Sequence, residues 1–242
     1  MELFNIGEVT RFTGVKAGTI RYYEGCGFLE NVNRLPNNYR IFNRHHIYQV
    51  IICKLVFCGF VNKQLRKASM RIIEAAKEWD LSEYKYTTSI YLKLIQDEIH
   101  RVHTVIELVR SGLMTENASI NIYTKKQAAD ILGITEETIR NWERNDLLTS
   151  FKPYQRRIYS QKIINRMYLI HLLINTGYSI MLIRKFLLDY DNSKNINSIE
   201  LLVNPGEHKD LIGVADRYLQ SLHELHNVAK ELYMLQEEMK KL

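Results

Sequence analysis

One sequence pattern occurs twice in the chain, as GVKAGTIRYYEGCGFL at residues 14–29 and as GITEETIRNWERNDLL at residues 133–148. Six residues of the first copy recur in the second at a constant offset of 119, among them Arg21, which returns as Arg140. A repeat of this kind indicates that the chain is built from two similar structural units.

The repeated pattern predicts two short helices joined by a tight turn. In the first copy an amphipathic helix over residues 6–13 ends at Gly14, and a second helix covers residues 16–24. Two helices joined by a short turn that contains glycine form a helix-turn-helix unit. We expect the inward faces of these helices to carry Val9, Phe12, Ile20 and Tyr23.

A short hairpin and a further helix pair follow. An Asn-Asn turn at residues 37–38 lies between short strands, and YRIF at residues 39–42 corresponds to RRIY at residues 156–159 with an offset of 117. Apolar residues at helical spacing predict a third helix that includes Ile47 and a fourth over residues 62–76. The hairpin is the wing of a winged helix-turn-helix domain.

Each copy is followed by an acidic segment with heptad spacing. Apolar residues in residues 84–113 alternate between spacings of three and four, and residues 208–242 show a seven-residue repeat. Both patterns are typical of a long coiled-coil helix. The predicted contact positions are Leu92, Ile95, Ile99, Val102, Ile106, Val109 and Leu113 in the first helix, and Leu211, Ala215, Tyr218, Leu222, Leu225, Ala229, Leu232, Gln236 and Met239 in the second.

These patterns predict a mainly α fold with two winged helix-turn-helix domains, each followed by a long coiled-coil-type helix. We expect winged domains at residues 1–79 and 118–190, long helices at residues 80–117 and 207–242, and a linker at residues 191–206.

The apolar stripe of each long helix has to be covered, and two arrangements remain open. The two helices can pair antiparallel within one chain as a pseudo-dimer, or each can pair with its copy in a second chain. We favour the pseudo-dimer because pairing within one chain avoids the entropy that is lost on association.

The charge is unevenly distributed. The chain has 33 Lys and Arg against 27 Asp and Glu, a formal net charge of +6 at pH 7. Residues 11–71 contain eleven Lys and Arg but only two acidic residues, Glu24 and Glu30, and residues 125–185 are basic as well. Localised basic segments favour a polyanionic partner, most simply nucleic acid.

The sequence favours a cytoplasmic protein associated with the nucleoid. The three cysteines are an odd number without a Cys-x2-Cys pair, so a disulfide framework is not expected. No apolar run approaches the roughly 20 residues of a membrane span. The first residues lack a basic segment followed by an apolar core, so a signal peptide is not expected either.

The first copy resembles the MerR family of bacterial transcription regulators. The family's N-terminal signature resembles IGEVTRFTGVKAGTIRYYEGCGFL at residues 6–29, and its wing resembles NNYRIF at residues 37–42. The resemblance occurs in two copies that together cover nearly the whole chain, and the second copy is more diverged than the first. It implies a long helix that pairs antiparallel in a dimer and, in many members, overtwisting of a promoter spacer for RNA polymerase. Two units in one chain depart from the usual single copy.

The residues expected to contact DNA lie on the second helix and the wing of each copy. Helical periodicity places Lys16 and Thr19 on the outward face of the second helix, where base edges lie when such a helix enters the major groove. The complete predicted set is Lys16, Thr19, Arg21, Tyr22, Tyr39 and Arg40 in the first copy, and Thr138, Arg140, Asn141, Arg156 and Arg157 in the second.

The family resemblance implies roles for three of these residues. Arg21 and Tyr22 would reach the DNA backbone, and Arg40 on the wing would contact a phosphate. Two alternatives remain open, namely an ion pair between Arg21 and Glu24 and packing of Tyr22 in the core. For Tyr23 we expect core packing.

The second recognition helix begins differently from the first. It has Thr-Glu-Glu at residues 135–137, where the first copy has Lys-Ala-Gly at residues 16–18. Three interpretations remain open. The glutamates can stabilise the positive end of the helix, or one of them can accept a hydrogen bond from cytosine N4. The third interpretation is that this copy binds DNA weakly. We expect the second copy to contact DNA at a half-site of different sequence, so the operator should not be a perfect palindrome.

No cofactor, metal ion or catalytic group is expected. The sequence shows no Gly-rich phosphate loop, Ser/His/Asp group or paired-carboxylate pattern, so an enzyme is not expected. Two histidine pairs have a spacing that can bind a metal, but solvated helix faces are the favoured interpretation. The pairs are His100 with His103 and His223 with His226, and the cysteines expected to be buried thiols are Cys53 and Cys58.

The leading hypothesis is a sequence-specific transcription regulator that binds double-stranded DNA. It would place its recognition helices in successive major grooves and its wings on the phosphate backbone, and would distort promoter DNA for RNA polymerase. The alternative is an architectural DNA-binding accessory factor for recombination or plasmid maintenance. A third hypothesis is a protein-binding module whose basic surfaces accept an acidic partner.

Overall fold

The computed structural model describes residues 2–59, 62–111, 121–148, 158–193, 201–204, 207–209 and 211–242. Its contacts divide the chain into two compact units. Unit 1 comprises residues 1–96 and 222–242, and unit 2 comprises residues 97–221. Each unit combines one helix-turn-helix with part of each long helix.

The helix-turn-helix of unit 1 forms as predicted. Helix α1 (Ile6–Thr13) begins at Asn5, whose side chain accepts a hydrogen bond from the Glu8 backbone and whose backbone donates to the Glu8 carboxylate. The helix ends at Gly14, whose φ of 67° lies in the left-handed region that glycine adopts readily. Helix α2 (Ala17–Gly25) follows the turn.

The inward face of α1 differs from the prediction at one position. Val9 and Thr13 are buried, and the Thr13 hydroxyl donates to the Val9 carbonyl oxygen at 2.7 Å. Phe12 is instead 62% exposed and packs edge-on against Phe4, with 5.5 Å between ring centroids. A helix turns about 100° per residue, so a buried stripe that includes Thr13 directs Phe12 outward.

The wing of unit 1 is a short hairpin. Strands β1 (Asn33–Arg34) and β2 (Arg40–Ile41) pair antiparallel, and Asn38 in the connecting turn has a φ of 65°. Asparagine tolerates this left-handed conformation better than most residues. Phe4 and Phe42 exchange backbone hydrogen bonds of 2.8 and 2.9 Å, which attach the hairpin to the segment before α1.

Helices α3 (Arg44–Val56) and α4 (Lys63–Lys77) complete the winged domain of unit 1. Each begins at an asparagine, Asn43 or Asn62, whose side chain accepts a hydrogen bond from a backbone N–H of the first turn. The buried apolar residues of these helices are Val50, Ile52, Cys53, Val56, Leu65, Ile72, Ile73, Ala75 and Ala76.

The elements of unit 2 come in the same order. They are β3 (Ile122–Thr124), α6 (Lys125–Leu132), α7 (Glu136–Arg144), β4 (Ile158–Ser160), α8 (Gln161–Asn175) and α9 (Ile180–Ser193). Gly133 ends α6 with a φ of 65°, as its counterpart does in unit 1. Strands β3 and β4 pair antiparallel with Tyr123 opposite Tyr159, which corresponds to the pairing of Phe4 with Phe42.

The sequence pattern does not predict two features of unit 2. Helix α9 continues to Ser193, inside the segment expected as a linker at residues 191–206. Strands β5 (Leu201–Asn204) and β6 (Glu207–Lys209) then form a small antiparallel pair. The expected domain divisions themselves stay a prediction.

The two long helices are α5 (Leu81–Arg110) and α10 (Leu211–Met239). All nine contact positions predicted for α10 are buried, which confirms its heptad pattern. None of the helices in the described ranges combines the length and the apolar character that spanning a membrane requires.

The buried stripe of α5 differs from the predicted one. Leu92 and Ile99 are half-exposed, whereas the polar Thr88 and Glu98 are buried. The spacings still alternate between four and three, but a search for apolar residues alone misses the polar members of the stripe. Its members are Tyr84, Thr88, Tyr91, Ile95, Glu98, Val102, Val105 and Val109. The predicted Leu113 lies outside the described residues.

Candidate nucleic-acid interface

Helix α2 has one buried and one exposed face. Ile20 and Tyr23 are buried in unit 1, where the Tyr23 ring lies 5.6 Å from that of Phe57. Tyr22 is 63% exposed, and Arg21 is exposed beside it. These positions confirm core packing for Tyr23 and exclude it for Tyr22.

Lys16 and Thr19 lie at the N-terminal end of α2. Lys16 is the capping residue, with an extended backbone, no capping hydrogen bond from its side chain, and an exposed position. Thr19 is half-buried in the first turn. The N-terminal end of a helix carries a partial positive charge, and the lysine adds to it, so this end of α2 suits an anionic ligand.

An open cleft lies between α2 and the wing. Arg21 of α2 lines this cleft of about 710 Å³ together with Tyr39 and Arg40 of the hairpin. Glu8 of α1 is part of the same lining, whereas Lys16 lies outside it. Three residues of the predicted DNA-binding set therefore come together in one concave surface.

Glu24 connects α2 to both strands of the wing. Arg40 of β2 donates a hydrogen bond from its Nε to the Glu24 carboxylate, and Arg34 of β1 lies 3.6 Å from it. Within the described residues Arg21 forms no ion pair, so the alternative pairing of Arg21 with Glu24 does not occur. Arg40, predicted to contact a phosphate, thus also holds the wing in position.

Glu143 takes the same place in unit 2, where Tyr159 and Lys125 are among its partners. The Tyr159 hydroxyl of β4 donates to its carboxylate at 2.8 Å, and Lys125 at the start of α6 pairs with it at 2.9 Å. Glu24 and Glu143 are separated by the 119-residue offset of the repeat. A glutamate that ties the recognition helix to a wing strand is therefore shared by both units.

The exposed face of α7 carries both signs of charge. The Glu137 carboxylate pairs with Arg140 at 3.0 Å and with Arg144 at 2.7 Å. Arg140 also lies 3.7 Å from Glu136. This face is close to neutral overall, in contrast to the cationic face of α2.

The other predicted residues of unit 2 lie in different surroundings. Thr138 is half-buried in the first turn of α7, where its backbone donates to the Thr135 hydroxyl at 3.1 Å. Asn141 is exposed. The predicted wing residues Arg156 and Arg157 lie outside the described residues.

Unit 2 also contains a buried polar cluster that the predicted set does not include. Glu98 of α5 is 1% exposed. Its carboxylate accepts hydrogen bonds from Arg101 at 2.8 Å, Asn175 at 2.7 Å and the Tyr218 hydroxyl at 2.8 Å, and it lies 2.9 Å from His171 Nε2. A buried carboxylate needs this degree of compensation to remain charged. Because His171, Asn175 and Tyr218 come from distant parts of the chain, residue spacing gives no signal of the cluster.

The cluster keeps Glu98 ionised. Burial raises the pKa of Glu98, but the hydrogen bond and charge of His171, the charge of Arg101 and the hydrogen bond from Tyr218 together lower the pKa to about 2. Glu98 is therefore a carboxylate at neutral pH, and it links α5 to α8 and α10 within unit 2.

The described residues offer no cluster that would hold a metal ion. His100, His103 and His223 are exposed, and within the described ranges no group of three His, Cys, Asp or Glu side chains has a suitable arrangement. Cys53 is buried, and burial raises its thiol pKa to about 12. The expectation for Cys58 is wrong, because this residue lies beyond the end of α3 and is exposed.

Comparison with known proteins gives two matches to family models. The family described as the MerR family regulatory protein matches residues 5–42, which contain α1, α2 and the wing of unit 1. The family described as the MerR HTH family regulatory protein matches residues 123–189, which extend from β3 into α9. No curated protein and no solved structure matches the chain.

Proposed function

We propose that this chain, which belongs to the MerR family of regulatory proteins and carries two MerR-like units, regulates transcription by binding specific sequences in double-stranded DNA. A DNA-binding regulatory role follows from the helix-turn-helix domains of the family. The observation that carries the finer proposal is the cleft of unit 1, where Arg21 of the recognition helix meets Tyr39 and Arg40 of the wing.

In this proposal the recognition helices α2 and α7 enter successive major grooves. Lys16 and Thr19 at the start of α2 read base edges, because side chains at the N-terminal end of a recognition helix reach deepest into the groove. Arg21 and Tyr22 contact the DNA backbone, since guanidinium and hydroxyl groups are good donors to phosphate oxygens. The corresponding proposed contacts of unit 2 are Thr138, Arg140, Asn141, Arg156 and Arg157.

The wings contribute phosphate contacts beside the recognition helices. Tyr39 is 71% exposed and Arg40 lies next to it, so a DNA backbone in the cleft can reach both. Attachment of the wing to Glu24 fixes the distance between these contacts and α2. We propose that the paired units distort promoter DNA, which would make the promoter accessible to RNA polymerase.

We further propose that α5 and α10 of one chain pair antiparallel as a pseudo-dimer. In unit 1 the Tyr84 hydroxyl donates to the Leu232 carbonyl oxygen at 2.7 Å. In unit 2 the Tyr218 hydroxyl donates to Glu98 at 2.8 Å. Residues 84 and 98 are fourteen apart along α5, and residues 232 and 218 are fourteen apart in the opposite direction along α10. Both contacts therefore support one antiparallel register.

Light scattering tests the pairing. A pseudo-dimer has the mass of one chain, 28.6 kDa, at every concentration. A doubled mass that persists on dilution would favour pairing between two chains instead.

Selection of bound duplexes from a random library with the purified chain tests DNA recognition. We expect an enriched, imperfectly symmetric motif, and a decrease of several units in log K per tenfold rise in salt. Absence of binding to any duplex at low salt would contradict the proposal and favour a protein-binding module.

Transcription on a template that carries the selected site separates regulation from an architectural role. A regulator changes the yield of run-off transcript made by purified RNA polymerase. An architectural factor bends the same DNA, as seen by fluorescence transfer between labelled ends, and leaves the transcript yield unchanged.

A further inference from the structure

The two recognition helices offer different charges to a DNA backbone. On α2, Lys16 and Arg21 are exposed, and within the described residues neither forms an ion pair. The carboxylate of α2, Glu24, is directed to the wing and binds arginines there. The cationic groups on the exposed face of α2 are therefore available to an anion.

On α7 the arginines are held by a carboxylate of the same helix. Glu137 Oε2 lies 3.0 Å from Arg140 Nη1, and Glu137 Oε1 lies 2.7 Å from Arg144 Nη2. Each oxygen of the Glu137 carboxylate thus binds one guanidinium. The side chains of Glu137, Arg140 and Arg144 are 60%, 52% and 66% exposed, so this network lies on the surface that would face DNA.

We propose that Glu137 competes with DNA phosphates for Arg140 and Arg144, so that α2 supplies more of the binding affinity than α7 and the two halves of the operator are recognised unequally. This inference rests on the proposed function, because it concerns the same DNA-binding surfaces. Glu137 thereby determines how the DNA-binding affinity is divided between the two units.

The competition has a simple electrostatic basis. Binding of DNA by Lys and Arg releases counterions from the phosphates, and this release dominates the affinity. A guanidinium already paired with a carboxylate gives less net attraction, and the carboxylate itself is repelled by phosphate. The hydrogen bonds from Arg140 and Arg144 also lower the pKa of Glu137, so its charge is present at neutral pH.

Replacement of the carboxylate by an amide separates competition from base reading. If Glu137 accepts a hydrogen bond from cytosine N4, Glu137→Gln should weaken binding at the selected site and leave scrambled DNA unaffected. If Glu137 competes with phosphate, the same change should free both arginines and strengthen binding to the selected and the scrambled duplex.

The experiment measures fluorescence anisotropy of a labelled duplex that carries the selected site, between 50 and 300 mM salt. The matched control is Glu107→Gln, which removes the same charge at an exposed position of α5. We expect Glu137→Gln to bind about three- to tenfold more tightly and to steepen the salt slope by about 1 to 2. Glu107→Gln should change affinity by less than about twofold.

A second comparison tests whether the gain comes from the named arginine. Arg140→Ala in the natural background should change affinity little, whereas Arg140→Ala added to Glu137→Gln should remove much of the gain. Circular dichroism checks that α7 remains helical in each variant.

The outcomes are distinguishable. Unchanged or weaker binding by Glu137→Gln, or an equal gain from Glu107→Gln, would overturn the competition while DNA binding by the natural chain upholds the proposed function. Failure of the natural chain to bind any duplex at low salt would overturn both.

Discussion

The hydroxyl of Tyr218 on α10 donates a hydrogen bond of 2.8 Å to the buried carboxylate of Glu98 on α5. The contact joins the two long helices within unit 2, and Arg101 and His171 compensate the buried charge from the other sides. A charged residue in a helix–helix contact is tolerated only when its partners are in place, so the cluster favours one register of the two helices over others.

Removal of the Glu98 charge should destabilise the protein. Glu98→Gln leaves the guanidinium of Arg101, which is 8% exposed, buried without its partner. Loss of one member of a buried ion pair costs about 3–5 kcal/mol, and we expect a decrease of about that size in the free energy of unfolding measured with urea. The same substitution at the exposed Glu107 of α5 should cost less than about 0.5 kcal/mol. Equal losses would show that the cluster is not a major source of stability.

Acid should weaken the same cluster. The folded pKa of Glu98, about 2, lies below the ordinary value of 4.5. The stability that this shift contributes is therefore fully present above about pH 5 and is lost as the pH falls towards 2. We expect urea midpoints between pH 5 and pH 2.5 to fall more steeply for the natural chain than for Glu98→Gln. Parallel curves for the two proteins would contradict the shift.

Arg21→Ala should weaken binding to DNA of any sequence. Because Arg21 is proposed to contact the backbone, the loss should be similar for selected and scrambled duplexes, and the salt slope should decrease by about 1. Anisotropy titrations at several salt concentrations measure both quantities. Lys67→Ala removes the same charge from an exposed position on α4 and serves as the control. A salt slope that stays constant in Arg21→Ala would argue against a phosphate contact.

Lys16→Ala should instead change which sequence is preferred. A lysine that reads a base edge contributes about 1–3 kcal/mol of discrimination at one position of the site. Repeating the site selection with the variant should relax the motif at one position of one half-site. If Lys16→Ala lowers the affinity for matched and scrambled DNA equally, a base-reading role is ruled out.

Glu24→Gln should loosen the wing. The amide cannot hold Arg34 and Arg40 as a carboxylate does, so the hairpin should open more often and its amides should exchange faster with solvent. We expect faster hydrogen exchange in β1 and β2, and weaker DNA binding, with little change in thermal stability. Unaltered exchange in the wing would show that pairing with Glu24 does not position it.

The regular parts of this fold can be predicted from residue spacing. In α10 all nine predicted contact positions are buried, because apolar or small residues occupy nearly every one of them. Gly14 and Gly133 mark the same turn, because a positive φ is required at both positions and glycine meets this requirement without strain.

Spacing fails where polar groups are compensated by distant partners. Glu98 belongs to the buried stripe of α5 only because Tyr218, 120 residues away, and other side chains satisfy it. Phe12 is a separate case with a local cause, because Thr13 satisfies its hydroxyl at the Val9 carbonyl oxygen of the same helix and is buried instead of Phe12. The pair of Glu24 with Arg40 in unit 1 also depends on a tertiary contact, because it joins α2 to the wing.

In a twofold-symmetric dimer every contact across the axis occurs twice, so each change at the interface must be acceptable in both places at once. Covalent linkage of two units relaxes this restriction. In unit 2 the contact between α5 and α10 joins Tyr218 to the Glu98 carboxylate, whereas in unit 1 it joins Tyr84 to the Leu232 carbonyl oxygen, so the two contacts already differ. Under the proposed pairing within one chain, a substitution in one unit does not have to be acceptable in the other.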